Sequence, residues 1–293
     1  MKNGLFSNPS RRAFLATCSS AALMGSSLPG GAFRQARLTF PFKKTDQVLL
    51  PRGPAGSFDS THAKYPCVLK VRDEWWMWYN GRSNDSFTGA VGLATSSDGL
   101  QWTKSNDGKP VLGPGVAGKF DDKVVLHPAV VRDESGRLHL WYNGVGPQSD
   151  FHVGHATSRD GITWRRENGG DPVLSAAPSP SRPEVYVYNV NVLLEAGVYR
   201  MWYSSAQKLL DTGRYAPGGS AIVYAESEDG THWERDPVNT LVSGKSGSDD
   251  AYACFAPHVV RRDRELWMYY SMGSVYQRYQ VGLARGPVSS PAE

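Results

Sequence analysis

One module recurs four times along this chain, and it limits the available folds more than any other feature. Its first copy runs Trp76-Met77-Trp78-Tyr79-Asn80-Gly81, then Ala94-Thr95-Ser96-Ser97-Asp98-Gly99-Leu100-Gln101-Trp102. The second is Leu140-Trp141-Tyr142-Asn143-Gly144 with Ala156-Thr157-Ser158-Arg159-Asp160-Gly161-Ile162-Thr163-Trp164. The third joins Met201-Trp202-Tyr203-Ser204 to Ala225-Glu226-Ser227-Glu228-Asp229-Gly230-Thr231-His232-Trp233. The fourth, Met268-Tyr269-Tyr270-Ser271, is followed by Val281-Gly282-Leu283-Ala284, where the repeat stops. A unit that returns every roughly sixty residues cannot bury its apolar face alone, so it must stack on its neighbours.

Each module reads as four short strands. The first is an apolar run such as Pro66-Cys67-Val68-Leu69 or Pro128-Ala129-Val130-Val131, and the second is the Met-Trp-Tyr run. Aromatic and β-branched residues suit a pleated, half-buried surface. The third is Val91-Gly92-Leu93-Ala94 and its equivalents, and an Asp-Gly turn supplies the positive φ that a tight turn needs. The fourth is the segment around Lys109-Pro110-Val111-Leu112 or Asp171-Pro172-Val173-Leu174. Four antiparallel strands per repeat, stacked about an axis, describe an all-β propeller of four-stranded blades, with four blades visible in the sequence. The 9 Trp, 14 Tyr and 10 Phe supply the core, and the Trp after each Asp-Gly turn is expected to pack between blades.

The chain opens on a fourth-type strand, Val48-Leu49-Leu50, and stops on a third-type strand. Docking the first onto the sheet that ends at Ala284 would complete the last blade and remove the exposed edges. Cys67 and Cys254 fall at or near first strands of the first and last modules, as free buried thiols or as a disulfide across the closed ring.

The N-terminus is a separate object. Ser10-Arg11-Arg12-Ala13-Phe14-Leu15 and the apolar stretch to Met24 read as a twin-arginine export signal over residues 1–32, with small residues at Gly30-Gly31-Ala32 for cleavage. Residues 33–45 read as a tether and 46–293 as one propeller domain. Lys2, Arg11 and Arg12 leave with the signal, which takes the formal charge from +4 to +1. No basic stripe remains for nucleic acid, and no later apolar run approaches membrane-spanning length. The expected location is periplasmic or secreted.

The Pro-x-Val, Met-Trp-Tyr, Ala-Thr-Ser-x-Asp-Gly-x-x-Trp and Pro-Val-Leu pattern, from Asp46 onward, resembles the propeller glycosidases of glycoside hydrolase families 43, 32 and 130. The resemblance implies a funnel-shaped site lined by residues entering the first strand of each blade, and it implies five blades. In families 43 and 32 an Asp enters the first blade in an Asp-Pro motif. The cognate positions here hold Tyr65, His127, Asn189 and Ala256, none of them a carboxylate.

Carboxylates lie slightly upstream. Phe58-Asp59-Ser60 matches Phe120-Asp121-Asp122, Ser248-Asp249-Asp250 takes the place in the fourth module, and the third carries Glu184. A carboxylate repeated in every blade reads first as a structural pin. The third module also breaks the repeat with Tyr186-Val187-Tyr188-Asn189-Val190-Asn191.

These residues support a secreted glycoside hydrolase acting on an oligo- or polysaccharide. Its acid/base pair would be Glu184 as acid, with Asp59 or Asp121 as base. His62, Tyr65, His127, Tyr188, Asn189, Asn191 and His258 would contact the sugar, without metal or cofactor. A non-catalytic carbohydrate-binding propeller is the alternative, and a metal- or His-dependent enzyme on the same fold is a further one. Specificity would sit in the loops 84–89, 146–151 and 207–219.

Overall fold

The Met-Trp-Tyr runs form the second strand of each module. These strands are β2 (Glu74–Arg82), β6 (Leu138–Val145), β10 (Val198–Ala206) and β14 (Glu265–Gly273). On one side of each lies the apolar first strand: β1 (His62–Val71), β5 (Val124–Arg132), β9 (Tyr186–Glu195) or β13 (Ala253–Arg262). On the other lies β3 (Gly89–Ser96), β7 (Phe151–Ser158), β11 (Ser220–Ser227) or β15 (Tyr279–Pro287). The fourth strands are β4 (Thr103–Lys104), β8 (Arg165–Arg166) and β12 (Glu234–Val242). The structure, a computed structural model, describes residues 48–83, 89–177, 184–206, 220–242, 244, 253–262, 264–273 and 279–287. The expected leader, the tether, Cys18, the loop residues 84–88 and 207–219, and Asp249-Asp250 lie outside them.

Every pairing within a module is antiparallel. A parallel pair, Gly89 with Val124, ties the first two modules into one continuous sheet. The first strands run side by side in the order β1, β5, β9, β13. This is the blade arrangement expected from the sequence, and the core lies between the blades. Trp78 and Trp141 are fully buried there, on Leu93, Leu140 and Val130 in one cluster and on Val192, Met201 and Tyr203 in the next.

The Asp-Gly-x-x-Trp turn explains its own sequence. Asp160 Oδ1 accepts the N–H groups of Ile162 and Thr163, while Ser158 Oγ accepts that of Gly161, which sits at φ +72°. The Gly161 carbonyl then receives two indole N–H groups, Trp164 of its own turn at 3.0 Å and Trp78 of the preceding blade at 3.2 Å. Gly230 repeats this with Trp233 at 3.1 Å and Trp141 at 2.9 Å. The repeated Trp residues are therefore blade-to-blade packing.

A second set of clamps joins the first strands. Asn80 Nδ2 donates to the Val125 carbonyl, Asn143 Nδ2 to that of Val187, and Ser204 Oγ accepts from the Ala256 N–H. The polar residue after each Trp-Tyr pair thus satisfies backbone groups that a neighbouring blade would otherwise bury unpaired.

The expected closing strand is not formed among the described residues. Val48–Leu50 is unpaired, Val48 is 73% exposed, and β15 ends its sheet with one edge open. The following segment is held at the first blade instead, with Gly53 N–H on the Asp59 carbonyl at 3.3 Å and Ser57 N–H on that of Pro54. Both ends of the array expose their packing faces. Val68 is 46% exposed where its equivalents Val130, Val192 and Val259 are 6%, 4% and 2%. Val281 is 75% exposed where Val91 and Val153 are at 0%. Cys67 and Cys254 are free thiols: Cys67 Sγ accepts the Val130 N–H at 3.2 Å, and Cys254 lies against the Val242 carbonyl.

Candidate functional site

The three upstream carboxylates occupy one recurring arrangement. Asp59 accepts from Tyr79 Oη at 2.9 Å and Ser57 Oγ at 2.9 Å, and pairs with Lys104 Nζ at 2.6 Å. Asp121 accepts from Tyr142 Oη at 2.9 Å and pairs with Arg166 Nε at 2.8 Å. Glu184 accepts from the Ala177 N–H at 3.0 Å, with Arg235 at 3.6 Å, and Arg235 Nε in turn bonds Tyr203 Oη at 3.0 Å. Each set joins the entering loop, the second strand and the fourth strand of one blade. Asp59 and Asp121 are 1% exposed and Glu184 is 6%. Burial pushes the Asp59 carboxyl up, but Lys104, Ser57 and Tyr79 outweigh it and hold it below the ordinary carboxylate range. Among the described residues no hydrogen bond or ion pair joins these carboxylates to one another.

The surrounding glycines belong to the same arrangement. A Cβ on Gly81 would lie 2.2 Å from the Phe58 ring, and one on Gly144 2.4 Å from Phe120. One on Gly92 would lie 2.6 Å from Tyr79 and 2.7 Å from Phe58. The third module has no Phe before its carboxylate, and there the cognate positions are Ser205 and Val223. Gly81 and Gly144 accompany the Phe-Asp loop, whereas a Cβ on Gly282 of the fourth module, which has no such Phe, would lie 2.6 Å from Tyr270.

A different set of residues forms a rim where the first strands bulge. Tyr65, His127, Asn189 and Ala256 occupy the same place in β1, β5, β9 and β13, all with φ between 51° and 54°. In each case the pairing register shifts across that residue. Bulges re-aim side chains and concentrate beside functional sites, and left-handed backbone at four non-glycine residues is strain the fold must support.

The rim residues touch across blades. The Tyr65 ring meets His127 edge-on at 4.3 Å, with Lys64 Nζ 4.9 Å from the Tyr65 ring centre. His127 Nδ1 is 3.0 Å from Asn143 Oδ1, which also accepts the Asn189 N–H at 2.9 Å. Asn143 Oδ1 is an acceptor, so the His127 proton sits on Nδ1, and Nε2 carries a lone pair. Burial first, and Lys64 beside it, bring His127 down to about 4 against the opposing Asn143 bond, so the ring is neutral at pH 7. Further round, Tyr188 Oη lies 3.3 Å from Ser220 Oγ, Phe151 packs on Tyr186 and Tyr188, and Asn191 Oδ1 accepts the Val259 N–H.

The structure therefore brings Tyr65, His127 and Asn189 into one chain of contacts, with Tyr188 and Asn191 on the same strand as Asn189. His62 lies at the start of β1 with its Nδ1 buried and without a hydrogen bond among the described residues. His258 is on β13, exposed. No contact among the described residues joins either histidine to the rim. Asn143 and Ser220 are rim residues that the repeat hid, because each also reads as ordinary strand sequence, while Phe151 ends the expected specificity loop 146–151. Among the described residues no three or more His, Cys, Asp or Glu side chains are grouped to hold a metal.

No family model matches the chain. An uncharacterised protein of Mycobacterium tuberculosis is 29% identical over 249 residues, covering 81% of this chain and 78% of that protein. Among solved structures, a glycoside hydrolase superposes with a TM-score of 0.64 at 19% identity, over 82% of this chain and 74% of its own. A thermostable family-43 glycoside hydrolase gives 0.57 at 15% identity, over 76% and 68% of the two chains. A family-32 β-fructofuranosidase from Bombyx mori gives 0.57 at 18% identity, over 78% of this chain and 46% of that one. At these identities the likeness is one of architecture, and it agrees with the blades described above: this chain has the β-propeller fold of the family-43 and family-32 glycosidases.

Proposed function

We propose that this protein is an exported glycoside hydrolase whose saccharide seats on the bulged rim of β1, β5, β9 and β13. The observation that carries the reading is the way the repeat breaks. The blades keep one sequence where they pack and diverge where the first strands bulge. The divergent residues are a phenol and an imidazole in ring contact, and an asparagine whose backbone N–H shares Asn143 Oδ1 with the imidazole. Sugars are held by that chemistry, with aromatic faces for C–H surfaces and planar polar groups for hydroxyls. The fold is one that solved glycoside hydrolases share, and one solved neighbour is an RGII complex.

Hydrolysis calls for a protonated carboxyl beside the leaving oxygen and a second carboxylate across the bond. Glu184 is the best placed for the acid. It alone of the three carboxylates has no tyrosine hydroxyl on it, and its cation is the most distant. Asp59 or Asp121 as base would first have to give up a tyrosine and a cation. That commitment favours non-catalytic carbohydrate binding as the second reading. Reducing-end release from a panel of glycans tests the two together. Hydrolysis predicts release by the wild type and its loss in Glu184→Gln, with the variant still folded. Binding without release by the wild type supports the second reading, and unchanged turnover in the variant removes Glu184.

A further inference from the structure

A cavity of about 800 Å³ lies between the third and fourth blades, lined by Trp202, Ile222, Tyr224, Leu241, Val259 and Met268. At the two preceding blade junctions the Asp-Gly-x-x-Trp turn of the following blade fills the equivalent space. Trp78 donates its indole N–H to Gly161, Trp164 packs on Trp78 with ring centres 6.2 Å apart, and Gly230 and Trp233 do the same for Trp141. Trp202 is the cognate residue of the third blade. Its indole N–H has no acceptor among the described residues, and it is 8% exposed where Trp78 and Trp141 are at 0%. The three Asp-Gly-x-x-Trp turns of this sequence, at Asp98, Asp160 and Asp229, all belong to the first three blades.

Among the described residues the fourth blade also has no fourth strand. In the first three blades the third strand pairs on both edges, through Ala94 with Lys104, Ala156 with Arg166 and Ala225 with Arg235. Among the described residues no strand pairs with the outer edge of β15. The cavity and the open edge are continuous, since Ala284, Arg285, Gly286 and Pro287 of β15 form one wall of the cavity.

We propose that this cavity and the free edge of β15 form a docking site for a polypeptide segment of the Ser-x-Asp-Gly-x-x-Trp type, carried by a partner protein. The turn fills the cavity and offers its glycine carbonyl to Trp202, and the strand after the turn adds to the blade. The chemistry of the occupant is read from the two junctions where this chain fills the same slot itself. Strand addition to an open edge supplies main-chain hydrogen bonds, and the turn and its Trp supply the selectivity.

A labelled synthetic peptide spanning Ser158–Leu174 of this chain is the probe, titrated by fluorescence anisotropy into the full-length protein. Binding should be saturable and should raise the thermal midpoint of the protein. Trp164→Ala in the peptide leaves the protein untouched and should weaken binding about tenfold or more. Trp202→Phe in the protein keeps a ring but removes the donor, and should weaken it several-fold. Absence of saturable binding, or equal binding of the Trp164→Ala peptide, overturns the proposal. So does a self-associated protein, in sedimentation, that the peptide neither binds nor dissociates, because a second copy then holds the slot.

Discussion

The carboxylate clusters and the bulged rim lie five or six residues apart at the start of the first three blades, as Asp59 and Tyr65, Asp121 and His127, and Glu184 and Asn189 show. They are opposites in every other respect. The clusters repeat from blade to blade, are buried, and hold their charges in ion pairs with Lys104, Arg166 and Arg235. The rim changes its residue in every blade, reaches the surface at Tyr65, and bonds across blades through Asn143. The contrast teaches that repetition in this chain marks construction. Binding chemistry is to be sought where equivalent backbone carries unequal side chains.

The largest break in that comparison should come from the clusters. Asp121→Ala leaves the half-buried Arg166 without its charge partner and the buried Tyr142 Oη without its acceptor, and losing one member of a largely buried pair costs up to about 3–5 kcal/mol. Chemical denaturation should show that loss.

Acid should separate the two regions next. Burial, with His139 beside it, brings His155 down to about 3, and His127 is brought to about 4. Both lie below the ordinary imidazole value, so the unfolded chain takes up these protons first as pH falls. Their contribution is complete above about pH 6.5 and declines below it, by about 1.4 kcal/mol per pH unit for each histidine, until the folded values are reached. Asp59, held low, loses its contribution only at more acid pH, as its own folded value is crossed. Unfolding between pH 7 and 4 should therefore follow the histidines. His155→Leu, which installs the residue that the first blade has at Leu93, should flatten the slope by one proton.

A smaller effect should come from the glycines that admit the Phe-Asp loop. Gly92→Val copies the third blade, where Val223 stands, but meets Phe58 and Tyr79. Overpacking of this kind costs about 1–3 kcal/mol. Adding Phe58→Ala should return part of it, and additivity of the two would contradict the coupling.

The strands, their order and the turns were legible because each rests on short-range pattern. A Met-Trp-Tyr run, an Asp-Gly pair and a Trp three residues after the glycine declare themselves within one module. Repetition alone marked the carboxylates as structural pins, but the partners that hold them were not legible. Tyr79 lies 20 residues from Asp59, and Arg166 lies 45 from Asp121. No spacing rule links them until the sheet is assembled. Asn143 was hidden for a related reason. It sits inside a strand motif, and only the next blade shows that it holds both His127 and Asn189. The expected docking of Val48-Leu49-Leu50 on the last blade is not seen among the described residues, because similarity to a fourth strand carries no information about the loop that follows it. That loop is tied to Asp59 at the other end of the array.

The most direct test of the division between building and binding is calorimetric titration of a bound glycan into Tyr65→Ala, with its thermal midpoint measured alongside. Tyr65 is 44% exposed, and its ring meets rim neighbours, Lys64 and His127. Affinity should fall at least about tenfold, as for loss of an aromatic anchor, with stability changed by no more than about 0.5 kcal/mol. Unchanged affinity in a stably folded Tyr65→Ala protein would contradict that division.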